Sequence, residues 1–236
     1  MPDVSLVIAC YNEQELLEES VRELLSVMDP TRFSYELIFV DDGSRDGTRE
    51  IISDLVGKNP ERMRKIFNKR NLGRGGAVAR GIRRSKGVFT GFLDIDLDVG
   101  AHYIPYCLNE LTRGASVATA WRIYKLNLRG LIRHIASRFY SLLVGYMLKL
   151  PFHDTETGFK FFRTEDILPV LSEMKDRGWF WDTEIMARSY KHKLTIIERP
   201  CLFLRRHDKK SSVHLVRDSV RYFISLLKYH KELRAS

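Results

Sequence analysis

Over the first hundred residues, short runs of apolar side chains alternate with stretches whose apolar positions recur every third or fourth residue. The runs are "VSLVIA" from Val4, "ELIFV" from Glu36, "MRKIF" from Met63 and "VFTGFL" from Val88. Runs that are apolar on both faces suit strands covered on both sides, and the periodic stretches between them suit helices. Asn12 with Glu15 three residues on predicts a capping box, opening a helix that ends near Met28, before Asp29 and Pro30. Alternation of this kind predicts an α/β fold: a mainly parallel, doubly wound central sheet with right-handed crossovers and helices on both faces.

The second half reads differently. From Leu128 to Leu150, Leu128, Leu131, Ile132, Ile135, Phe139, Leu142, Leu143, Tyr146 and Met147 recur at helical spacing, with Arg129, Arg133, Arg138 and Lys149 on other faces. The last segment puts Val216, Val220, Phe223 and Leu227 on one stripe and Arg217, Arg221, Lys228 and Lys231 elsewhere. The expected organisation is one domain over residues 1–212, with halves over 1–100 and 101–212, followed by a basic amphipathic helix over 213–236. Such a helix suits a bilayer interface. No apolar run reaches the roughly 18 residues of a spanning helix.

Charge sharpens this division. The 236-residue chain carries a net +9. Residues 1–100 hold 15 Lys and Arg against 17 Asp and Glu, and residues 101–236 hold 24 against 13. The basic second half predicts an anionic partner, and an anionic membrane surface is one such partner. Nucleic acid is not expected: there is no helix-turn-helix, zinc or RNP-type pattern, and acidic strand ends would repel a phosphate backbone. Cys10, Cys107 and Cys201 form no metal or redox spacing, and the N-terminus lacks signal-peptide features. A cytoplasmic protein on the cytoplasmic face of a membrane is the expectation.

In doubly wound sheets ligands sit beyond the carboxyl ends of the strands. The four expected strands run into "CYNE", "DDGSRDGT", "NKRNLGRGGA" and "DIDLD". If extended, Asp94, Asp96 and Asp98 would share one face, a crowding of like charge that a cation relieves. Asp96 and Asp98 are candidate ligands for Mg2+ or Mn2+, hard cations usually held by one or two carboxylates together with substrate phosphates. Asp94, one step back, suits a ribose or a basic side chain. Asp41 and Asp42 end a strand before a Gly43 turn. "NLGRGGAVARG" fails the dinucleotide fingerprint, having Val78 in place of the last glycine, but it resembles a glycine-rich helix start at which Arg74 and Lys69 suit an anion.

The ordered set "ACYNE", "VDDGSRDGT", "NLGRGGA", "DIDLD", "DTETGFK" and "FWDTE", spanning about residues 4–213, resembles the family 2 inverting glycosyltransferases of the GT-A fold. Within them it is most similar to the polyprenyl-phosphate glycosyltransferases, such as the dolichol-phosphate mannose synthases. The resemblance implies metal-dependent transfer of a hexose from a nucleotide-diphospho-sugar, GDP-mannose or UDP-glucose, to a polyprenyl or dolichyl phosphate at the membrane surface. It implies that Tyr11 and Glu13 contact the nucleotide, with Asp41 and Asp42 on base or ribose, and that Asp94 and Asp96 form the D-x-D with Asp96 on the metal. Asp98 stands where the synthases have glutamine, and Ala9 where they have proline. Arg122, Arg133 and Arg206 are implied to converge on the acceptor phosphate, with Ser137 and Ser211 beside them. Downstream, "RHDKKSSV" lacks the synthases' glycine and Ser-Lys pair, leaving Lys209 or Lys210 as substitutes.

A lipid phosphate is already an anionic nucleophile and needs no general base. Asp154, Asp182 and Glu184 are therefore implied to shape the acceptor or sugar pocket, although turn and helix capping explains the same residues. A transferase acting on a soluble or cell-surface glycan would instead need one of these three as its base.

Overall fold

The computed structural model describes residues 1–124, 143–204 and 215–235. Strand β1 (Val4–Cys10) leads through helix α1 (Leu17–Met28) to β2 (Tyr35–Asp41), and α2 (Thr48–Lys58) leads on to β3 (Met63–Phe67). Helix α3 (Arg74–Ile82) precedes β4 (Phe89–Leu93), and α4 (Ile104–Thr112) precedes β5 (Val117–Tyr124). A helical segment, α5, covers 143–148. It is followed by β6 (Phe159–Arg163), α6 (Thr164–Glu173), α7 (Trp181–Lys191), β7 (Ile196–Phe203) and α8 (Leu215–Ala235).

The seven strands form one sheet in the order β3-β2-β1-β4-β6-β5-β7. All neighbours are parallel except around β6, which runs antiparallel to both β4 and β5. The mainly parallel doubly wound sheet expected from the alternation is therefore present, with its first four strands within a residue of the predicted runs. Each face carries its own core. Leu6, Ile8, Leu17, Leu24, Leu37, Phe39 and Leu108 pack where α1, α2 and α4 cover the sheet. Val7, Ile38, Val40, Val78, Phe92, Trp181 and Ile185 pack where α3, α6 and α7 cover the other side. A third cluster joins Val144 and Leu148 of α5, Phe180 and Ala187, and Tyr222, Leu226 and Tyr229 of α8.

Three local expectations fail for identifiable reasons. The Asn12–Glu15 capping box does not form: α1 starts at Leu17, and Asn12, at a φ of 57°, binds across to the next loop instead. The apolar stripe read through Tyr146 is misregistered at its described end, where Val144 and Leu148 point inward and Tyr146 is 86% exposed. Its residues 125–142 lie outside the described residues. The aspartates after β4 are not extended: Leu97 takes a φ of 52°, and the backbone turns, with Leu97 N donating to Asp94 O.

Helix α3 lies so close to α7 that Gly75 has no room for a side chain; a Cβ there would collide with Cβ and the indole of Trp181. Gly57, inside α2, has nothing within 4 Å. Gly75→Ala is therefore expected to destabilise the protein by ~1–3 kcal/mol, as overpacking does. Gly57→Ala should stabilise it by about 0.5–1 kcal/mol through helix propensity. Urea denaturation of the two variants checks the contrast.

Candidate active site

The strand order reverses about β1, whose neighbours are β2 and β4, so the crevice at the carboxyl ends of these strands is the binding position of the fold. One wall is a pair of interlaced loops. Asn12 N donates to Ser44 Oγ at 2.9 Å, Arg45 N to Asn12 Oδ1 at 2.8 Å, Glu13 N to Thr48 Oγ1 at 2.8 Å and Gly47 N to Gln14 Oε1 at 2.7 Å. The loop after β1 is thus fixed against the loop after β2, and Tyr11 stands 37% exposed beside it.

The two aspartates ending β2 have different roles. Asp41 is fully buried, accepts the N–H groups of Gly43 and Ser44, and takes Nε of Arg49 at 2.6 Å. These contacts make it a structural support of the turn. Asp42 receives Asn68 Nδ2 at 2.7 Å and Leu72 N at 2.8 Å, tying β2 to the loop before α3. Burial raises its carboxyl above the usual range against those hydrogen bonds.

The aspartates after β4 converge even though the segment is bent. Burial, then the charges of Asp94 and Asp98, push the Asp96 carboxyl up to about 7, and Glu13 adds to the effect from the β1 loop. Asp98 N donates to Asp96 Oδ1 at 3.2 Å, holding the turn. Among the described residues no group of three or more His, Cys, Asp or Glu side chains forms a ready metal cage. The donor set nonetheless fits a hard cation: crowded carboxylate oxygens, one on a strongly disfavoured charge, can serve as one or two ligands and leave the rest to donor phosphates.

Asp94 belongs to a separate network. Arg74, in the first turn of α3, donates to Asp94 Oδ1 from Nε at 2.8 Å and Nη2 at 2.6 Å, and from Nη1 to Asp182 at the start of α7. Fully buried Lys160 of β6 lies 3.6 Å from the other Asp182 oxygen and bonds the Thr157 carbonyl. Burial raises Asp182 and lowers Lys160, each opposed by its partners of opposite charge. Arg74 is thus engaged by two carboxylates, and at the start of α3 Gly76 N donates to the Arg177 carbonyl at 3.0 Å. Asp182 is a wall beneath Asp94, nearly inaccessible at 1% exposure.

Farther along the edge, Arg122 grips Asp154 with both arms of its fork, Nε to Oδ2 at 2.6 Å and Nη2 to Oδ1 at 2.9 Å. Burial would raise Asp154, but the Arg122 guanidinium outweighs it and holds the carboxyl below its usual range. Glu156 approaches Arg122 Nη2 at 3.7 Å. Glu184 acts as a brace: it binds Arg188 at 2.8 Å and accepts the N–H groups of Lys175 and Asp176. Arg133, Ser137, Arg206 and Ser211, with Lys209 and Lys210, lie outside the described residues.

Three participants escaped the sequence reading. Lys160 carried a signal, a lone charge in the aromatic run "FKFF"; Glu156 and Tyr222 did not, because only the folded chain brings α8 to the 154–158 loop.

Among solved structures, the chain resembles glucosyl-3-phosphoglycerate synthase from Mycobacterium tuberculosis, in a complex with Mn2+, UDP-glucose and phosphoglyceric acid. The TM-score is 0.74 and the identity 19%, over 98% of this chain and 80% of that one. Among curated relatives it is 29% identical to glycosyltransferase AglD of Haloferax volcanii over 92% of this chain and 35% of that protein, and so spans about a third of its length. It is 26% identical to a dolichyl-phosphate beta-glucosyltransferase of Dictyostelium discoideum over 92% of this chain and 73% of that one. It is also 26% identical to a human protein of the same name, over 83% of this chain and 65% of that one. The fold is GT-A. The Glycosyl transferase family 2 profile matches residues 5–168, more than half of the chain, and the chain is a glycosyltransferase belonging to that family.

Proposed function

We propose that this protein transfers a hexose from a nucleotide-diphospho-sugar to a polyprenyl or dolichyl phosphate at a membrane surface, with inversion at the anomeric carbon. The observation that carries this reading is the pairing of two unlike sites on one sheet edge. A carboxylate cluster lies at the ends of β1 and β4, and Arg122 lies beyond it. Relatives named as dolichyl-phosphate beta-glucosyltransferases support the acceptor class and make glucose the favoured sugar.

In this reading Tyr11, Glu13 and Asp42 line the nucleotide, and the Arg74–Asp182 pair fixes Asp94 under the sugar diphosphate. Asp96, with Asp98, would hold Mg2+ or Mn2+, which supplies Lewis-acid neutralisation of the diphosphate leaving group. An acceptor phosphate oxygen forms the new bond to the anomeric carbon as the bond from that carbon to the donor diphosphate oxygen breaks. The leaving nucleoside diphosphate keeps the electron pair. No proton has to be removed from the nucleophile, so the protein's contribution is orientation and charge stabilisation. Arg122, Arg133 and Arg206, with Ser137 and Ser211, orient the acceptor phosphate. Nη2 and Nε of Arg122 are engaged by Asp154, which fixes the plane of that guanidinium before substrate arrives.

Membrane association is supported by α8. Its inner face, Tyr222, Leu226 and Tyr229, is buried, while Val220, Phe223, Ile224 and Leu227 form an outer stripe 39–54% exposed. Arg221, Lys228 and Lys231 lie on the same helix, and each cation near an anionic leaflet contributes about 1 kcal/mol. No helix among the described residues is long and apolar enough to cross a membrane.

EDTA should abolish incorporation of label from a nucleotide sugar into organic-extractable lipid, and Asp96→Ala should lower it on the order of a hundredfold or more with the melting temperature preserved. Asp98→Asn should cost less, because an amide oxygen still ligates. Full transfer in EDTA would remove the metal from the reading.

Arg133→Ala and Arg206→Ala should each raise the acceptor KM about ten- to a hundredfold, the effect of losing one charge-assisted hydrogen bond, with donor KM unchanged. A change confined to donor KM would reassign them.

Cosedimentation with anionic liposomes should fall with salt, and by about tenfold or more in the pair Phe223→Ser and Leu227→Ser, each of which removes ~1.5–3 kcal/mol of apolar burial. Unaltered sedimentation of that pair would exclude α8 as the contact.

A further inference from the structure

Trp179, Phe180 and Trp181 are consecutive aromatics with different surroundings. Phe180 joins the cluster shared by α5 and α8, and Trp181 packs in the core against α3. Trp179 belongs to none of the three clusters among the described residues and stays 37% exposed. A large aromatic side chain left out of the core is informative when it borders a ligand crevice.

Its position is fixed from two directions. The Arg74 guanidinium lies over the indole, 5.5 Å from the ring centroid, and the same guanidinium holds Asp94 Oδ1 at 2.6 Å. Indole and carboxylate are therefore neighbours, separated by one side chain. The backbone before Trp179 is tied down as well. Gly76 N of α3 donates to the Arg177 carbonyl at 3.0 Å, and a Cβ at Gly73 would fall 2.3 Å from that same oxygen. Gly178 N donates to Asp176 Oδ1 at 2.7 Å, and Ser225 Oγ of α8 donates to Asp176 Oδ2 at 2.8 Å. A side chain held in place beforehand loses little freedom when it meets a ligand.

The surroundings select the class of ligand. Both bonds from Arg74 to Asp94 end on one carboxylate oxygen, and the Asp94 side chain is exposed, so it keeps capacity to accept a hydroxyl. A hydroxyl acceptor beside an aromatic surface matches a pyranose, which carries hydroxyls around its rim and C–H bonds on its faces. A nucleobase fits this place less well. The strand order sets β2, which ends at Asp41 beside Asp42, and β4, which leads to Asp94, on opposite sides of β1. The nucleoside end of the donor belongs to the β2 side, with Asp42 and Tyr11, and Trp179 stands on the β4 side. A diphosphate gains nothing from a neutral aromatic surface.

We propose that Trp179 is a binding residue for the donor hexose: the part of its indole that Arg74 leaves uncovered packs against a C–H face of a pyranose seated beside Asp94. The proposal rests on the nucleotide-sugar reading above and names the side chain that distinguishes a nucleotide sugar from the bare nucleotide. Phe92 covers Arg74 as well, at 5.6 Å from its ring centroid, so exchanging Trp179 does not strip the guanidinium of its aromatic contact.

Titration of the full chain with Mn2+ and no acceptor tests this. The probes are UDP-glucose against UDP and GDP-mannose against GDP, and the pair that wild type binds is carried into the variants. Trp179→Leu, which keeps apolar cover and loses the ring, should raise the Kd of the nucleotide sugar about tenfold and leave that of the nucleotide within about twofold. Trp179→Phe, which keeps a ring, should stay within about threefold of wild type for both. Equal losses for sugar nucleotide and nucleotide in Trp179→Leu, the mark of a structural role, would overturn the proposal, and so would unaltered binding of the nucleotide sugar. A second measurement does not depend on the Leu variant folding. In wild type the nucleotide sugar should protect tryptophan emission from acrylamide more than the nucleotide does, and Trp179→Phe should abolish that difference. Equal protection by the two ligands in wild type would also overturn the proposal. Binding of neither nucleotide sugar to wild type would remove the donor reading itself, and the proposal with it.

Discussion

The site depends on how one buried guanidinium is satisfied. Arg74 enters the first turn of α3, where a cation opposes the helix dipole, and its side chain is 12% exposed. The arrangement is tolerable because Asp94 and Asp182 lie on its two sides and Lys160 balances the second carboxylate, leaving two cations against two acids. These four residues come from α3, the exit of β4, the start of α7 and β6. Removing one partner of such a buried set strands a charge, a loss of about 3–5 kcal/mol. The close approach that makes the set possible also dictates glycines: a Cβ at Gly158 would run into the Asp94 carboxylate and Arg74, and one at Gly75 into Trp181. Aromatic faces complete the enclosure, with the Arg74 guanidinium 5.6 Å from the Phe92 ring centroid and 5.5 Å from that of Trp179.

Fixing Asp94 in this way separates the three aspartates of "DIDLD" by function. Asp94 has a permanent cationic partner, whereas Asp96 is crowded by the charges of Asp94, Asp98 and Glu13 and is driven toward neutrality. A carboxylate held against its own electrostatics is a poor structural element and a good place for a divalent ion, because the ion removes the repulsion that the fold maintains. Beyond it, the Arg122–Asp154 pair has the opposite character: its charges are matched and its geometry is set in advance. The two regions divide the sheet edge into a place that lacks positive charge and a place where positive charge is held in reserve.

The sheet was legible because β1, β2 and β4 are largely apolar on both faces and each early strand runs into polar residues; "MRKIF" and β3 have the same bounds. The cluster of polar strand ends was legible for the same reason, since parallel topology brings all of them to one edge. What the sequence could not show was which carboxylates are occupied. Asp41 and Asp42 are adjacent and alike in sequence, yet one is sealed under Arg49 and the turn amides while the other ties down the loop before α3. Glu184 looked like Asp182, two residues before it, but in a helix residues two apart do not share a face, so one acid meets Arg74 and the other meets Arg188. The capping box failed because Asn12 found partners in Ser44 and Arg45, and competition between a local cap and a contact 32 or 33 residues away cannot be read from spacing.

Helix α8 shows how a terminal element can belong to both the core and the surface. Its apolar residues form two stripes: Tyr222, Leu226 and Tyr229 pack with Phe180, Ala187 and α5, and Val220, Phe223, Ile224 and Leu227 stand outside. A helix needs only one such face to be held in place. The outer stripe adds nothing to folding and exposes apolar surface beside cations, which is tolerable where something else covers it. The inner stripe contains the hydroxyl that reaches Thr183 and Glu156, so the side of α8 that anchors it also touches the loop carrying Asp154. Displacement of the helix relative to the sheet would therefore be felt first at the acid beside Arg122, not at Asp94, which is held by Arg74 of α3. The surroundings of Arg122 are thus coupled through Tyr222 to the helix whose outer face carries Val220, Phe223, Ile224 and Leu227.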